Sequence, residues 1–555
     1  MNLKSCEVKG NSIVVSAPFH QKELVKSING YKWAHDSYWK FPLTAAYRIV
    51  ETLKEKGYTF DDHILELHSK ECEYQKTVDH VNTKRNDIDH TDPPICKRSG
   101  YPHQRSAYHF AKDLRACFLA LDMGTGKTKV SIDLIQNKQF KNVLIVCPQK
   151  VMPVWPYEWK KDGVENKRFI MLNKSSKENA LRLKNGINGA CVVVNYEMIW
   201  RPGLAEKIGE IEWDCIILDE SHRIKNEKSK CTKLIMSLQA PYKLCLTGTP
   251  VDKADNMESI FVQYKFLDST IFGNSLWNFR RTYGKPSHFE FYYPKHSIDD
   301  ITNKMNRIMF RVTKDVLQLP EAIEIERHYV VSKKVEKVYD ELEEHNRTCL
   351  ESGDVSVPEA ITRVLKQQQV LSGFIRRSIE DSDDVKTETI DPDNRLECLL
   401  GILEEFEDSQ DLGPVVIFYR FQYEAEVIRS DLFWNHHTRT TYELSGNRNE
   451  LDAWKRSETG ILLCQIQAGS AGIDLTNANR CIYYSLDFSY INFEQSKARI
   501  HRAGQSRTCF YYYILATRES GDTLLDSYIL ACLRSKQNFA DRVLEYGKYV
   551  PNIGT

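Results

Sequence analysis

Two series of short apolar runs constrain this chain more than anything else in it. The first is "ACFLALD", "NVLIVCP", "ACVVVNY", "DCIILDE" and "KLCLTGTP", each closing on Gly, Pro, Asp or Glu or just after such a residue; the second is "PVVIFYR", "ETGILLCQ", "RCIYYSL" and "CFYYYIL". Runs this brief, apolar rather than alternating, mark strands covered on both faces. Helical patterns fall between them, and parallel strands need such crossovers. The fold class is therefore α/β: two parallel-sheet lobes with a helical insert between them, plus a small α/β unit at the N-terminus. The divisions are 1–60, a linker over 61–95, a first lobe over 96–274, the insert over 275–395, and a second lobe over 396–555.

In residues 1–60, "SIVVSAP" and "YWKFPL" read as strands. "HQKELVKSING" reads as a helix ending at Gly30, and "TAAYRIVETLKEKG" as one closed by Gly57. The chain has 76 basic and 76 acidic residues, a formal charge of zero, so nucleic acid must be met by local patches. The first 60 residues are one: nine Lys/Arg less five Asp/Glu leaves +4, with Tyr31, Trp33, Tyr38, Trp39 and Phe41 interleaved. Those aromatics fit either a small core or a base-stacking face. The 15 cysteines are scattered, with no C-x-x-C pair and no zinc-finger spacing, which suits core residues of a reducing compartment. The N-terminus lacks an apolar leader and no apolar run approaches the ~20 residues of a membrane span, so a soluble intracellular protein is expected.

"ALDMGTGKT", 120–128, is close to a phosphate-binding loop, with Leu121 where the full pattern has glycine. Strand, glycine turn and helix come in the required order. Gly124 and Gly126 let backbone approach an anion, with Met123 and Thr125 completing the loop. The following helix directs its free N–H groups and positive dipole end at phosphate. Lys127 reaches the β- and γ-oxygens, and the Thr128 hydroxyl is a Mg²⁺ ligand. About 90 residues on, "IILDESH" puts Asp219 and Glu220 at a strand end. Asp219 would hold Mg²⁺, and Glu220 would orient and deprotonate the attacking water. Together they predict an ATP site.

These residues resemble helicase superfamily two and, within it, the Swi/Snf-type family of DNA translocases, and the likeness continues in order over 100–535. The resemblance implies two RecA-like lobes. "YPHQ" supplies Gln104, similar to the glutamine that reads the adenine edge. "LIVCPQKVMPVWPYEW" resembles motif Ia, and "LTGTP" resembles motif III, where Thr247 and Thr249 would couple phosphate state to lobe closure. "FRVTKDVLQLP", 310–320, resembles the family's stretch joining the lobes. "VVIFYRF" is similar to motif IV, and "QAGSAGIDLT" to motif V, contributing Gly472 and Asp474 to the nucleotide. "QSKARIHRAGQ" is similar to motif VI. Its Arg499 and Arg502, three apart on one helix face, are the implied arginine fingers, reaching the γ-phosphate when the lobes close.

"APFHQKELVKSINGYKWAHDSYWKFPL" resembles the HARP domain of annealing helicases and fork-remodelling members, and "VLKQQQVLSGF" looks like their corresponding stretch. The resemblance implies an ATP- and Mg²⁺-dependent DNA motor, monomeric, acting on double-stranded, forked or branched DNA, with single-stranded DNA or a single-strand-binding protein as further partners. Backbone contacts would come from Lys150, Thr247, Thr249, Arg420 and Ser470, and from Lys32 and Lys40 of the N-terminal unit. The compact plan suits a bacterial or bacteriophage protein of the cytoplasm, or a nuclear one in a eukaryote. The alternatives are a motor that displaces DNA-bound protein and a non-catalytic scaffold.

Overall fold

The computed structural model describes residues 4–10, 12–28, 32–34, 38–85, 89–184, 186–248, 257–286, 291–351, 357–378, 385–409, 412–435, 439–469 and 473–535. The chain divides into two compact units, Met1–Val316 and Leu317–Thr555.

The first unit begins with a five-stranded sheet: β1 (Ser5–Lys9), β2 (Ser12–Ser16), β3 (Lys32–Ala34), β4 (Tyr38–Pro42) and β5 (Thr59–Phe60), in the order β3-β4-β2-β1-β5. Alternation along β4 sends Trp39 and Phe41 into a core with Ile13, Val15, Ile49 and Leu53, and leaves Lys40 on the outer face. Trp39 and Phe41 are thus core residues. Gly57 ends the second helical stretch with φ 77°, a left-handed stop that suits glycine. Residues 61–95, expected as a linker, contain a 22-residue helix, Asp62–Thr83, capped by the Asp61 carboxylate on the Ile64 amide.

The main sheet of this unit has seven strands, all parallel. They are β6 (Ala116–Leu121), β7 (Val143–Cys147), β8 (Phe169–Leu172), β9 (Cys191–Asn195), β10 (Cys215–Asp219), β11 (Tyr242–Leu246) and, after a small hairpin of β12 (Lys285–Pro286) and β13 (Phe291–Tyr292), β14 (Met309–Val312). Their order is β14-β6-β11-β10-β7-β9-β8. The five runs read from the sequence are the inner strands, and β6, β7, β9 and β10 are buried at every residue. Reversals of chain order along the sheet bring the ends of β6, β10 and β11 together at its centre, the position where α/β sheets bind ligands.

The second unit carries six parallel strands: β15 (Ala322–Val330), then, beyond the antiparallel pair β16 (Phe374–Ser378) and β17 (Val385–Thr389), β18 (Val415–Tyr419), β19 (Thr441–Leu444), β20 (Ile461–Gln465), β21 (Arg480–Tyr483) and β22 (Cys509–Thr517). The order is β15-β22-β21-β18-β20-β19. The stretch expected as one helical insert, 275–395, therefore gives an edge strand to each sheet, β14 to the first and β15 to the second, with helices Lys333–Glu351 and Val357–Leu371 after them. Both sheets are RecA-like.

The fourteen cysteines whose side chains are described are free, and no described helix is long and apolar enough to cross a membrane.

Candidate functional site

Residues 120–128 leave β6 and turn into the helix Lys127–Asn137 through two left-handed glycines, Gly124 (φ 83°) and Gly126 (φ 97°). Gly126 is doubly required: besides its φ, a Cβ there would stand 2.1 Å from the Gln104 Nε2. Thr125 is fully buried and closes the turn, its hydroxyl donating to the Asp122 carbonyl at 2.7 Å. Lys127 Nζ donates to the Leu121 carbonyl at 2.9 Å, and the helix N-terminus has no side-chain cap, leaving its first N–H groups for an anion. Thr128 is half-buried beside it, and Met123 is buried beneath the loop.

Gln104 is buried with both halves of its amide engaged. Oε1 accepts from the Tyr101 amide at 3.0 Å and Nε2 donates to the Thr125 carbonyl at 2.9 Å. It braces the loop in this structure. His103 meets the same carbonyl at 2.8 Å and stacks on Tyr101.

Asp219 ends β10 and is buried. The Trp155 indole donates to its Oδ2 at 3.2 Å, and the Tyr196 hydroxyl to its carbonyl at 2.9 Å. Burial, then the neighbouring Glu220 charge, holds its pKa above the ordinary carboxylate value, while Lys127 pulls it down. Glu220 sits in left-handed backbone, φ 55°. A non-glycine residue held there is strained, which is a common mark of functional sites. Its Oε2 lies 3.4 Å from the Thr247 hydroxyl and 3.5 Å from His222 Nδ1, and those two are 3.2 Å apart. The next residue, Gly248, packs so closely on the phosphate loop that a Cβ would meet the Met123 amide at 3.2 Å. Loop, acidic pair and Thr247 are thus brought together at the carboxyl ends of β6, β10 and β11. The loop is also tied to β14, the Asp122 amide donating to the Val312 carbonyl at 2.9 Å, and to the turn after it, whose Lys314 amide donates to Asp122 Oδ2 at 3.0 Å.

In the second unit the helix Tyr490–Ile500 carries Arg499 but not Arg502, which corrects the expectation of one helix face. The helix stops because His501 leaves helical backbone, with its Nε2 2.7 Å from the Pro320 carbonyl, and Gly504 turns the chain at φ 101°. Arg502 Nη1 reaches the Ile473 carbonyl at 3.3 Å. Asp474 is held below the usual carboxylate value: burial alone would raise it, but the Arg502 charge and hydrogen bonds from Thr476 outweigh that. The Leu475 amide donates to the Arg499 carbonyl at 3.0 Å, and Gln505 Nε2 bridges the Thr476 and Ala478 carbonyls at 3.1 and 2.8 Å. These bonds stitch 473–478 to 499–505.

Of the expected DNA contacts, Lys150 is exposed on the turn after β7. Lys40 is exposed on β4. Thr247 is fully buried and serves the acidic pair instead. Arg420 is bound inward: its Nη1 donates to Gln368 at 2.8 Å and its guanidinium lies 3.8 Å from the Phe488 ring centre. Thr249, Ser470, Gly472 and the Lys32 side chain lie outside the described residues.

Sequence reasoning missed Trp155, Tyr196 and His222. Only His222 carried a signal, in "DESH"; nothing in the spacing of a tryptophan 64 residues before an aspartate says that they meet.

A mononucleotide-type loop, an adjacent acidic pair and a second parallel-sheet unit define a chain of the RecA-like class with two parallel-sheet units. A model of the SNF2-related domain matches residues 27–376, and one of the helicase conserved C-terminal domain matches residues 394–504. The chain belongs to the SNF2-related family. It is 24% identical over 464 residues to the CHD3-type chromatin-remodeling factor CHR7 of Arabidopsis thaliana, covering 77% of this chain and 37% of that one. It is 24% identical over 487 residues to Chromodomain-helicase-DNA-binding protein 7 of Homo sapiens, covering 79% and 16%. The chain thus spans well under half the length of these relatives. Among solved structures it is similar to the SWI2/SNF2 ATPase core of Sulfolobus solfataricus in complex with dsDNA, with a TM-score of 0.40, 19% identity, and 83% of this chain and 97% of that one covered.

Proposed function

We propose that this chain is an ATP-dependent, DNA-stimulated motor that translocates on DNA and remodels forked or branched DNA in replication, recombination or repair. The observation that carries the reading is the convergence of Lys127, Asp219, Glu220 and Thr247 at one end of one sheet. Lys127, Gly124, Gly126 and the helix N-terminus bind the phosphates, and Gln104 sets the loop against the adenine. Glu220 orients the attacking water and takes its proton, held for that by Thr247 and His222. Arg499 and Arg502 act as arginine fingers on the same triphosphate.

The donors suit Mg²⁺. Asp219 and the Thr128 hydroxyl are hard oxygen ligands, and a buried aspartate beside a second carboxylate favours a cation. Bound there, Mg²⁺ would neutralise charge on the phosphate oxygens. DNA is held chiefly through its backbone, so binding is sequence-independent and falls steeply with salt.

The N-terminal unit is read as a HARP-like, substrate-selecting module, supported by its +4 charge and by Lys40 on the outer face of its sheet. The names of the relatives speak for the second reading, a motor that moves DNA-bound protein such as a nucleosome.

The test is ATPase rate with single-stranded, duplex, forked and four-way DNA, with RNA, and with protein-loaded duplex. Forked or four-way DNA should stimulate most, and Lys127→Ala should abolish turnover without lowering the thermal midpoint. Deleting residues 1–60 should depress fork processing more than duplex-stimulated ATPase. Preference for protein-loaded DNA would favour the second reading, and a Lys127→Ala chain that still turned over ATP would overturn the site.

A further inference from the structure

The first unit holds a cleft of about 1320 Å³ on the side of the sheet away from the phosphate loop. Arg115, just before β6, and Pro241 and Lys243, at the start of β11, form its floor, so it opens at the amino ends of strands whose carboxyl ends carry Lys127 and Thr247. Its opposite wall is the N-terminal sheet, through Ser12, Lys40, Phe41 and Pro42. The two parts are fastened around it: Arg115 binds Glu71 at 2.6 and 2.9 Å, and Arg48 donates to the Ser269 carbonyl at 3.1 Å.

The cleft exceeds the roughly 300–1,000 Å³ of small-molecule pockets and suits a stretch of polymer. Its charged lining is Lys40, Arg115, Lys243 and Lys265 against Glu71 and Asp268; four less two is +2, in a chain of net charge zero. Arg115 is taken by Glu71 and Asp268, and Lys265 by Glu227. The cations offered to a ligand are therefore Lys40, exposed on β4, and the half-buried Lys243, whose Nζ donates to the Phe266 carbonyl at 3.1 Å and lies 5.0 Å from that ring's centre. An ammonium has two further protons to give. On the rim stands Trp277, 63% exposed, with the Arg281 guanidinium 5.3 Å from its ring centre. Beyond it on the same helix Arg280, taken by Glu258 through two bonds of 2.6 Å, lies over Phe291, which with Tyr292 is also exposed. Cations interleaved with solvent-facing aromatic rings hold phosphates and stack bases at once.

We propose that this cleft is a second nucleic-acid site, for single-stranded DNA or RNA, in which a base stacks on Trp277 while Lys40 and Lys243 hold the backbone. It rests on the motor reading only for the choice of polymer, and it gives the N-terminal unit a physical task, since neither wall makes the site alone. A single strand displaced at a fork would be gripped on the side of the lobe away from the nucleotide.

The test is fluorescence anisotropy of a labelled oligothymidylate, and separately of a labelled poly-glutamate, on the full chain without nucleotide. Trp277→Ala and Lys40→Glu should each weaken the oligonucleotide about tenfold, the scale of one lost stacking contact, and Trp277→Phe should recover most of it. Thermal midpoints equal to that of the unsubstituted chain confirm folding. Unchanged affinity in both Trp277→Ala and Lys40→Glu overturns the proposal. So does tighter binding of poly-glutamate that displaces the oligonucleotide, since the cleft would then take an acidic protein segment. Duplex-stimulated ATPase of the unsubstituted chain is read apart: its absence would sink the motor reading and leave the anisotropy result standing.

Discussion

The first unit holds its functional residues by backbone, and the second holds its own by loops. Lys127, Asp219, Glu220 and Thr247 each stand within a few residues of an inner parallel strand, and two glycine turns plus one strained glutamate fix their directions. Arg502 follows a helix end and depends on the Ile473 carbonyl and on the Gln505 bridge for its place. The buried ion pairs divide the same way. Lys129 and Asp133, each 3% exposed, meet at 2.6 Å within one turn of the helix behind the phosphate loop. Arg395 and Asp526, each 1% exposed, also meet at 2.6 Å but join elements 131 residues apart. The phosphate loop and acidic pair of the first unit are thus set by strand ends and tight turns, whereas in the second unit Arg499 is set by a helix and Arg502 by the chain that follows it.

The sharpest way to break this contrast is to remove the loop-held charge. Arg502→Ala should cut turnover by about 10³-fold, the scale of an arginine finger, with nucleotide affinity close to that of the unsubstituted chain. Single-turnover rates and binding of a fluorescent ATP analogue separate the two. If affinity falls as much as rate, Arg502 belongs to ground-state binding and the lobes do not differ in kind.

A smaller effect is expected in the core of the second unit. Asp526→Ala leaves the Arg395 guanidinium buried between the Tyr329 and Tyr484 rings, each 5.4 Å away, with Ser372 as its nearest remaining side-chain partner. The cost should be about 3 kcal/mol in urea unfolding, and adding Arg395→Met should return much of it. A loss confined to the second unit's transition would show that the pair serves that unit alone.

How much of this could be read beforehand follows the same division. All nine apolar runs are strands, because an inner parallel strand is covered on both faces and so must be apolar throughout. In the two large sheets the strands not foreseen are β8, β14, β15 and β19, the edge strands. β15 alternates exposed and half-buried residues over most of its length, so composition gives no apolar run to find. The same blindness merged β14 and β15 into a helical insert. In the site, Lys127, Asp219 and Glu220 were legible because loop spacing and strand ends are local. The end of the motif VI helix was not, because His501 breaks it through a contact with Pro320, 181 residues away.

Trp155 is the residue that spacing could least have found, and it sharpens the comparison from the first unit's side. Fully buried, it gives the Asp219 carboxylate a fixed donor at 3.2 Å, and Tyr196 fixes the same residue's carbonyl. Trp155→Phe keeps most of the packing and removes the donor. Supporting bonds of this kind are typically worth roughly 10–100-fold in metal affinity or activity, and the low end is expected here because the β10 backbone stays in place. The Mg²⁺ concentration for half-maximal ATPase should rise about tenfold, with metal-free nucleotide binding unchanged. The pH profile gives an independent sign. The indole bond is one of the pulls that lower the Asp219 pKa against burial and Glu220, so its loss should move the acid limb of the rate profile to higher pH. An unmoved limb together with unchanged Mg²⁺ dependence would mean that strand geometry alone positions the aspartate, and the contrast between a backbone-set lobe and a loop-set one would be stronger than drawn.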